Sequence, residues 1–170
     1  GTEVGATIPH PPGQIYAYDH VPRRPRRRLE AGWRPDEEPG DRLIVARDGW
    51  QVWTQRAPVH PISISIAPVE RIPGLSAADH DTRSGLAGVM VELFARLDRL
   101  YDRPLPYMMW LYQAPPTWSG ATPPWFNIES VSPWRAAGVQ RFVAAAELAC
   151  EEYFNTVDPS DVAARLRALA

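Results

Sequence analysis

Lysine is absent: all 18 basic residues of the 170-residue chain are arginines. A lysine general base, a Schiff-base lysine and a lysine phosphate clamp are thereby excluded within this chain, and any cationic clamp must be a guanidinium. Cysteine is almost absent. The single Cys150 permits no internal disulfide and no cysteine-rich zinc site. It lies among apolar residues in a helical pattern, where a buried, inert thiol is expected rather than a nucleophile. No apolar run approaches the ~20 residues that cross a bilayer, and no basic stretch followed by an apolar one marks the N-terminal part. The expected setting is cytoplasmic, with no membrane partner. The four histidines, at 10, 20, 60 and 80, never fall at i, i+2 or i, i+4, so local sequence assembles no zinc site. There is no glycine-rich phosphate loop and no Gly-x-Ser-x-Gly elbow. A net charge of -2 supplies no general attraction to nucleic acid, and none is expected as a partner.

What is present is a globular composition, 45% hydrophobic and 22% charged, enough for one domain or slightly more. At this length a fold buries roughly 70% of the surface its unfolded chain exposes, so neither a disulfide nor a structural metal is needed for a core. The 19 prolines and 7 tryptophans are both high, and proline at about twice its usual ~5% favours extended and turning segments over a helical bundle. The sequence starts at Gly1 rather than Met, as expected of a fragment or a trimmed chain.

Charge is laid out unevenly. Arg23, Arg24, Arg26, Arg27 and Arg28 form a basic block, followed by Asp36, Glu37, Glu38 and Asp41 among Pro35, Pro39 and Gly40. Residues 22–41 read as an exposed linker whose halves partly neutralise each other, with an anion site on the arginine block as the alternative. Beyond it, Arg42 to Asp48 alternates, with Leu43 and Val45 on one face and Ile44 and Ala46 on the other. Asp48-Gly49 signals a hairpin turn, and Gln51 to Gln55 resumes the alternation. Ile62, Ile64 and Ile66 interleave with Ser63 and Ser65, a strand with an apolar and a hydroxyl face.

A long helix follows, with Ser76 as N-cap, Asp79 and Asp81 in its first turn, and Leu86, Val89, Met90, Leu93, Phe94, Leu97 and Leu100 as one buried stripe. Pro104 and Pro106 end it. Tyr107 to Tyr112 and Trp125 to Ser132 read as strands around a Pro/Gly loop, Asn127 and Glu129 sharing a face. Arg135 to Glu152 carries Val139, Phe142, Val143, Ala146 and Ala149 at helical spacing, and Asp158-Pro159 opens a last helix. The expected class is α+β, an antiparallel sheet with helices packed on one face.

The remaining candidate for chemistry is Ile8-Pro9-His10-Pro11-Pro12-Gly13-Gln14-Ile15-Tyr16-Ala17-Tyr18. A His and a Gln around a Pro-Pro-Gly turn, leading into an aromatic strand, can hold a phosphate through side-chain and backbone donors. A rigid turn before a strand is the plainer reading. The segment resembles the active-site stretch of the galactose-1-phosphate uridylyltransferases, a branch of the histidine-triad superfamily, whose motif reads His-Pro-His-Gly-Gln followed by Ile and an aromatic residue. Pro104 to Tyr107 and Gln113 to Pro115 are similar to the family's strand leading to a metal-ligand His. Ser132-Pro-Trp-Arg135 through Arg141-Phe-Val and Glu147 resembles its late loop and helix, and Ala163 to Arg167 its terminal Ala-Ala-Glu-Arg-Leu-Arg pattern. The resemblance covers nearly the whole chain and corresponds to the family's second half.

That resemblance implies a histidine-triad-like fold, divided as residues 1–21, a remnant of the N-terminal catalytic half with its active-site turn and strand, 22–41, the linker, and 42–170, a C-terminal domain. It implies a ping-pong transfer in which a His attacks the uridylyl phosphorus of UDP-glucose and galactose 1-phosphate then takes the uridylyl group. The nucleophile position falls on Pro12, which has no nucleophile. Gln14 takes the place of the Gln that donates to the phosphate oxygens, and Thr7 that of a small polar contact. His10 matches a zinc ligand of metal-bearing members and is the one metal candidate. Tyr112 and Asn127, with Glu129 nearby, stand where the family places metal-binding histidines, so zinc is expected to be weak or absent. Arg141 and Glu147 fall where nucleotide contacts to a partner subunit would lie. The implied partners are a UDP-sugar and a hexose 1-phosphate, with a second copy of the chain or a separate chain carrying the N-terminal half. The competing expectations are a non-catalytic nucleotide-sugar-binding protein of the same fold, and an interaction domain using exposed Trp118, Trp125 and Trp134.

Overall fold

The computed structural model describes residues 2–5 and 15–170. Strands β1 (Leu43–Arg47) and β2 (Trp50–Thr54) form the expected hairpin. Its two turn residues, Asp48 and Gly49, have φ of 49° and 77°, the left-handed pair that matches strand twist in a two-residue turn. The alternation expected in β1 fails at a register shift between Leu43 and Val45. The extra residue lets Ile44 and Val45 both be buried.

Strand β3 (Ile62–Pro68) pairs with β2 on one side and with β5 (Asn127–Ser132) on the other, and β4 (Met108–Tyr112) closes the far edge beside β5. The order is β1-β2-β3-β5-β4, antiparallel throughout. Cross-strand partners share a face, so Ile64, Ile66 and Ile128 look one way, while Ser65, Glu129 and Trp110 look the other.

The first face carries the core. Helix α2 (His80–Arg99) lays Leu86, Val89, Leu93 and Leu97 on it, and α4 (Pro159–Arg167) adds Val162, Ala163 and Leu166. Burying each large aliphatic side chain contributes roughly 1.5–3 kcal/mol. Asp79, rather than Ser76, caps α2, its carboxylate accepting from the Thr82 amide at 2.8 Å. Asp158 caps α4 as expected, accepting from the Ser160 amide at 2.8 Å. Gly85 lets α2 approach the hairpin: a Cβ there would lie 2.5 Å from the Asp48 carbonyl oxygen.

Several sequence expectations meet a different structure. Within residues 22–41, read as an exposed linker, helix α1 (Arg23–Glu30) forms; it has no buried residue, and its Arg24 and Arg28 side chains reach the second face of the sheet. The long helix expected over 135–152 is broken into β6 (Trp134–Ala136), β7 (Val139–Gln140) and the short α3 (Ala145–Cys150). Gly138, with φ of 67°, turns the chain between the two short strands, and the apolar residues counted at helical spacing are not a buried stripe, Phe142 being 81% exposed. Cys150 is exposed. The tryptophans expected at the surface are partly buried at 118 and 125 and buried at 134.

Candidate functional site

The second face of the sheet holds an ion cluster. Glu129, buried on β5, accepts from Arg28 Nη1 at 2.7 Å and from Arg24 Nη2 at 2.9 Å. Arg28 Nη2 also donates to Asn127 Oδ1 at 3.1 Å. The Arg28 guanidinium lies 4.2 Å from the Trp33 ring centre and 4.4 Å from that of Tyr112, and Arg24 stands 5.4 Å from the Trp110 ring. Residues 24 and 28 are one helical turn apart, so both point to the sheet from one face of α1. Burial pulls the Arg28 guanidinium below its ordinary range while Glu129 opposes the shift. The Tyr112 phenol is pushed up, first by burial and then by the Glu129 carboxylate.

Two cavities meet at this cluster, and Arg28 and Trp33 line both. The larger, about 1160 Å3, is walled by aromatic rings, among them Tyr18, Trp110, Tyr112, Trp118 and Trp125, with Arg71 at 4.8 Å from the Trp125 ring. The smaller, about 670 Å3, is polar, with Arg34, Arg42 and Arg56 facing Asp36, Glu37 and Glu38 across Trp53 and Ser65. Much of that charge is already paired. Arg42 binds Asp36 and donates to the Thr54 carbonyl, and it holds the Asp36 carboxyl below its usual range.

Thr7, His10, Pro12 and Gln14 lie outside the described residues. The residues that follow them, Ile15, Tyr16 and Tyr18, line the larger cavity, but the strand expected over 15–18 does not form. Arg141 and Glu147 bind each other at the far end of β5, where the Arg141 amide donates to the Pro133 carbonyl. By strand rise this is roughly 20 Å from Asn127. Glu147 also accepts from the amides of Ala144 at 2.6 Å and Phe154 at 2.7 Å. These amide bonds lead in holding its carboxyl below the usual range. Neither residue lines the two cavities. Nearby His60 is pushed down by burial and by Arg141, and its buried Nδ1 finds no partner among the described residues.

Among the described residues no group of three or more His, Cys, Asp or Glu is placed to hold a metal ion. At the position the resemblance gives to metal ligands, a phenol, a carboxamide and a carboxylate surround a guanidinium, which has no lone pair to offer. Those residues do not fit a bound metal. The residues of this cluster that sequence reasoning did not place at a site are Arg24, Arg28 and Trp33. Their signal was the i, i+4 spacing of two arginines inside the basic block, read as a solvated charge run.

The antiparallel sheet with a long helix across one face is of the histidine-triad type. A histidine triad nucleotide-binding protein from Sulfolobus tokodaii superposes on it with TM-score 0.50 at 11% identity, over 75% of this chain and 82% of that one. In sequence the chain is similar to the galactose-1-phosphate uridylyltransferases. It is 26% identical over 181 residues to the enzyme so named from Thermotoga maritima, covering 98% of this chain and 57% of that protein. A solved uridylyltransferase superposes with TM-score 0.88 at 25% identity, over 99% of this chain and 57% of that one. The chain spans about half the length of the curated relatives it matches. No family model matches it.

Proposed function

We propose that the chain supplies the C-terminal part of a galactose-1-phosphate uridylyltransferase and serves uridylyl transfer between UDP-glucose and galactose 1-phosphate. The observation that carries this reading is coverage: sequence and backbone match along 98% and 99% of the chain, far beyond one motif. In the reaction, a histidine imidazole attacks the uridylyl phosphorus. A P–N bond forms as the P–O bond to glucose 1-phosphate breaks, and galactose 1-phosphate then takes the uridylyl group. Gln14 donates to the phosphoryl oxygens as charge moves onto them, and Thr7 adds a hydroxyl contact. Pro12 stands at the nucleophile position, so this chain by itself forms no uridylylated intermediate.

A second chain packs against this one, either another copy or one carrying the N-terminal half. The exposure of Phe142, Leu148 and Phe154 supports such a contact. No helix among the described residues is long and apolar enough to cross a membrane. The proline also favours a second reading, a nucleotide-sugar-binding protein of the same fold without turnover.

The test incubates wild type, His10→Ala and Pro12→His with UDP-glucose labelled at the uridylyl phosphate, alone and with a chain carrying the remainder of the relatives' length. The expected result is no acid-labile label on wild type alone, and label on Pro12→His with the second chain. Label on wild type that disappears in His10→Ala overturns the assignment of Pro12. UDP-glucose binding by calorimetry without turnover in any combination favours the second reading, and absence of both ends the two together.

A further inference from the structure

We propose that Arg28 is a built-in cation occupying the place that the resemblance to the uridylyltransferases gives to a metal, so that this end of the sheet is closed by a side chain of the chain itself and holds no zinc or iron. The inference rests on the resemblance that sets Tyr112 and Asn127 where the uridylyltransferases have metal-binding histidines, and not on any transfer activity.

Three features of the geometry carry it. The Arg28 guanidinium is held from several sides, by Glu129 at 2.7 Å, Asn127 at 3.1 Å and the Tyr112 ring at 4.4 Å. A divalent ion placed among these three groups would stand against a fixed positive charge. The carboxylate is also fully engaged, because its second oxygen accepts from Arg24. Two guanidiniums against one carboxylate leave a single positive charge in excess, the same sum that a divalent ion and one carboxylate would give. Finally, Arg28 takes the Asn127 carbonyl oxygen and thereby fixes the amide's orientation. The buried Nδ2 is left without an acceptor among the described residues. The orphan at the site is thus a donor, which repels a cation.

The exchange has a mechanical result. A metal would tie β4 and β5 together, whereas Arg28 also ties both strands to α1, the helix that follows the His10–Gln14 segment. Arg28 is therefore a positioning residue for α1 on β4 and β5.

The experiment is elemental analysis of the protein as purified, with thermal melting before and after EDTA, on wild type, Arg28→Met and Arg28→Lys. The expected result is zinc and iron well below one equivalent, a melting temperature that EDTA leaves unchanged, and a large fall for Arg28→Met that Arg28→Lys partly restores. Loss of folding in Arg28→Met is the same result in stronger form. A full equivalent of either metal in wild type, a fall on adding EDTA, or an Arg28→Met protein that melts like wild type overturns the proposal. Because no arm measures transfer, a failed proposal here and a failed transfer reading give different data.

Discussion

Glu129 and Glu147 are both buried carboxylates, each 2% exposed and each bound by arginine, yet they do different work. Glu129 sits mid-strand, and its partners come from a helix about a hundred residues earlier in the chain. Glu147 is bound by Arg141 and by the amides of Ala144 and Phe154, all within seven residues. The first carboxylate joins separate elements; the second closes a local loop whose outer surface is apolar. A buried charge supports as much of a fold as its partners are distant, because a distant partner brings its own element with it.

The largest expected effect is at Glu129. Arg28→Met leaves a buried carboxylate facing only Arg24, which is 62% exposed. By analogy with other broken buried pairs it should lower global stability by about 3 kcal/mol, measured by urea unfolding. Arg141→Met, in contrast, should speed amide exchange only across 139–154 and leave the sheet's protection intact; if the sheet also loses protection, the distinction between the two carboxylates is wrong. A smaller effect comes from acid. The Glu147 carboxyl is held below its ordinary value near 4.5, so its contribution is full above that pH and is lost as pH falls through the lowered value. Exchange in 139–154 should therefore rise at acid pH before the sheet responds. Least of all, Arg24→Met should change stability by roughly 0–1 kcal/mol, as exposed pairs do.

The same contrast separates what was legible in the sequence from what was not. The β1–β2 hairpin, the strand of alternating Ile and Ser, the α2 stripe and the Asp158 cap all rest on local patterns, and all are present. The helix expected over 135–152 does not form, because nothing among the described residues covers Phe142 and Val143 and Gly138 turns the chain first. The Arg28–Glu129 cluster joins residues that no local window contains. A run of arginines and a lone strand carboxylate each read as solvated until the fold brings them together. The resemblance to the uridylyltransferases lies in motif residues spread along the chain and is independent of contacts.

The sheet order has a kinetic consequence. β1, β2 and β3 are neighbours in sequence and in space, whereas β3 finds its other partner, β5, only after α2 and β4 have been traversed. Closing that long loop is slow, so the meander is the natural nucleus, and β5 docks late. Substitutions at Val52 or Ile64 should then slow refolding, while Arg28→Met should chiefly hasten unfolding, a division visible in the two limbs of a denaturant chevron.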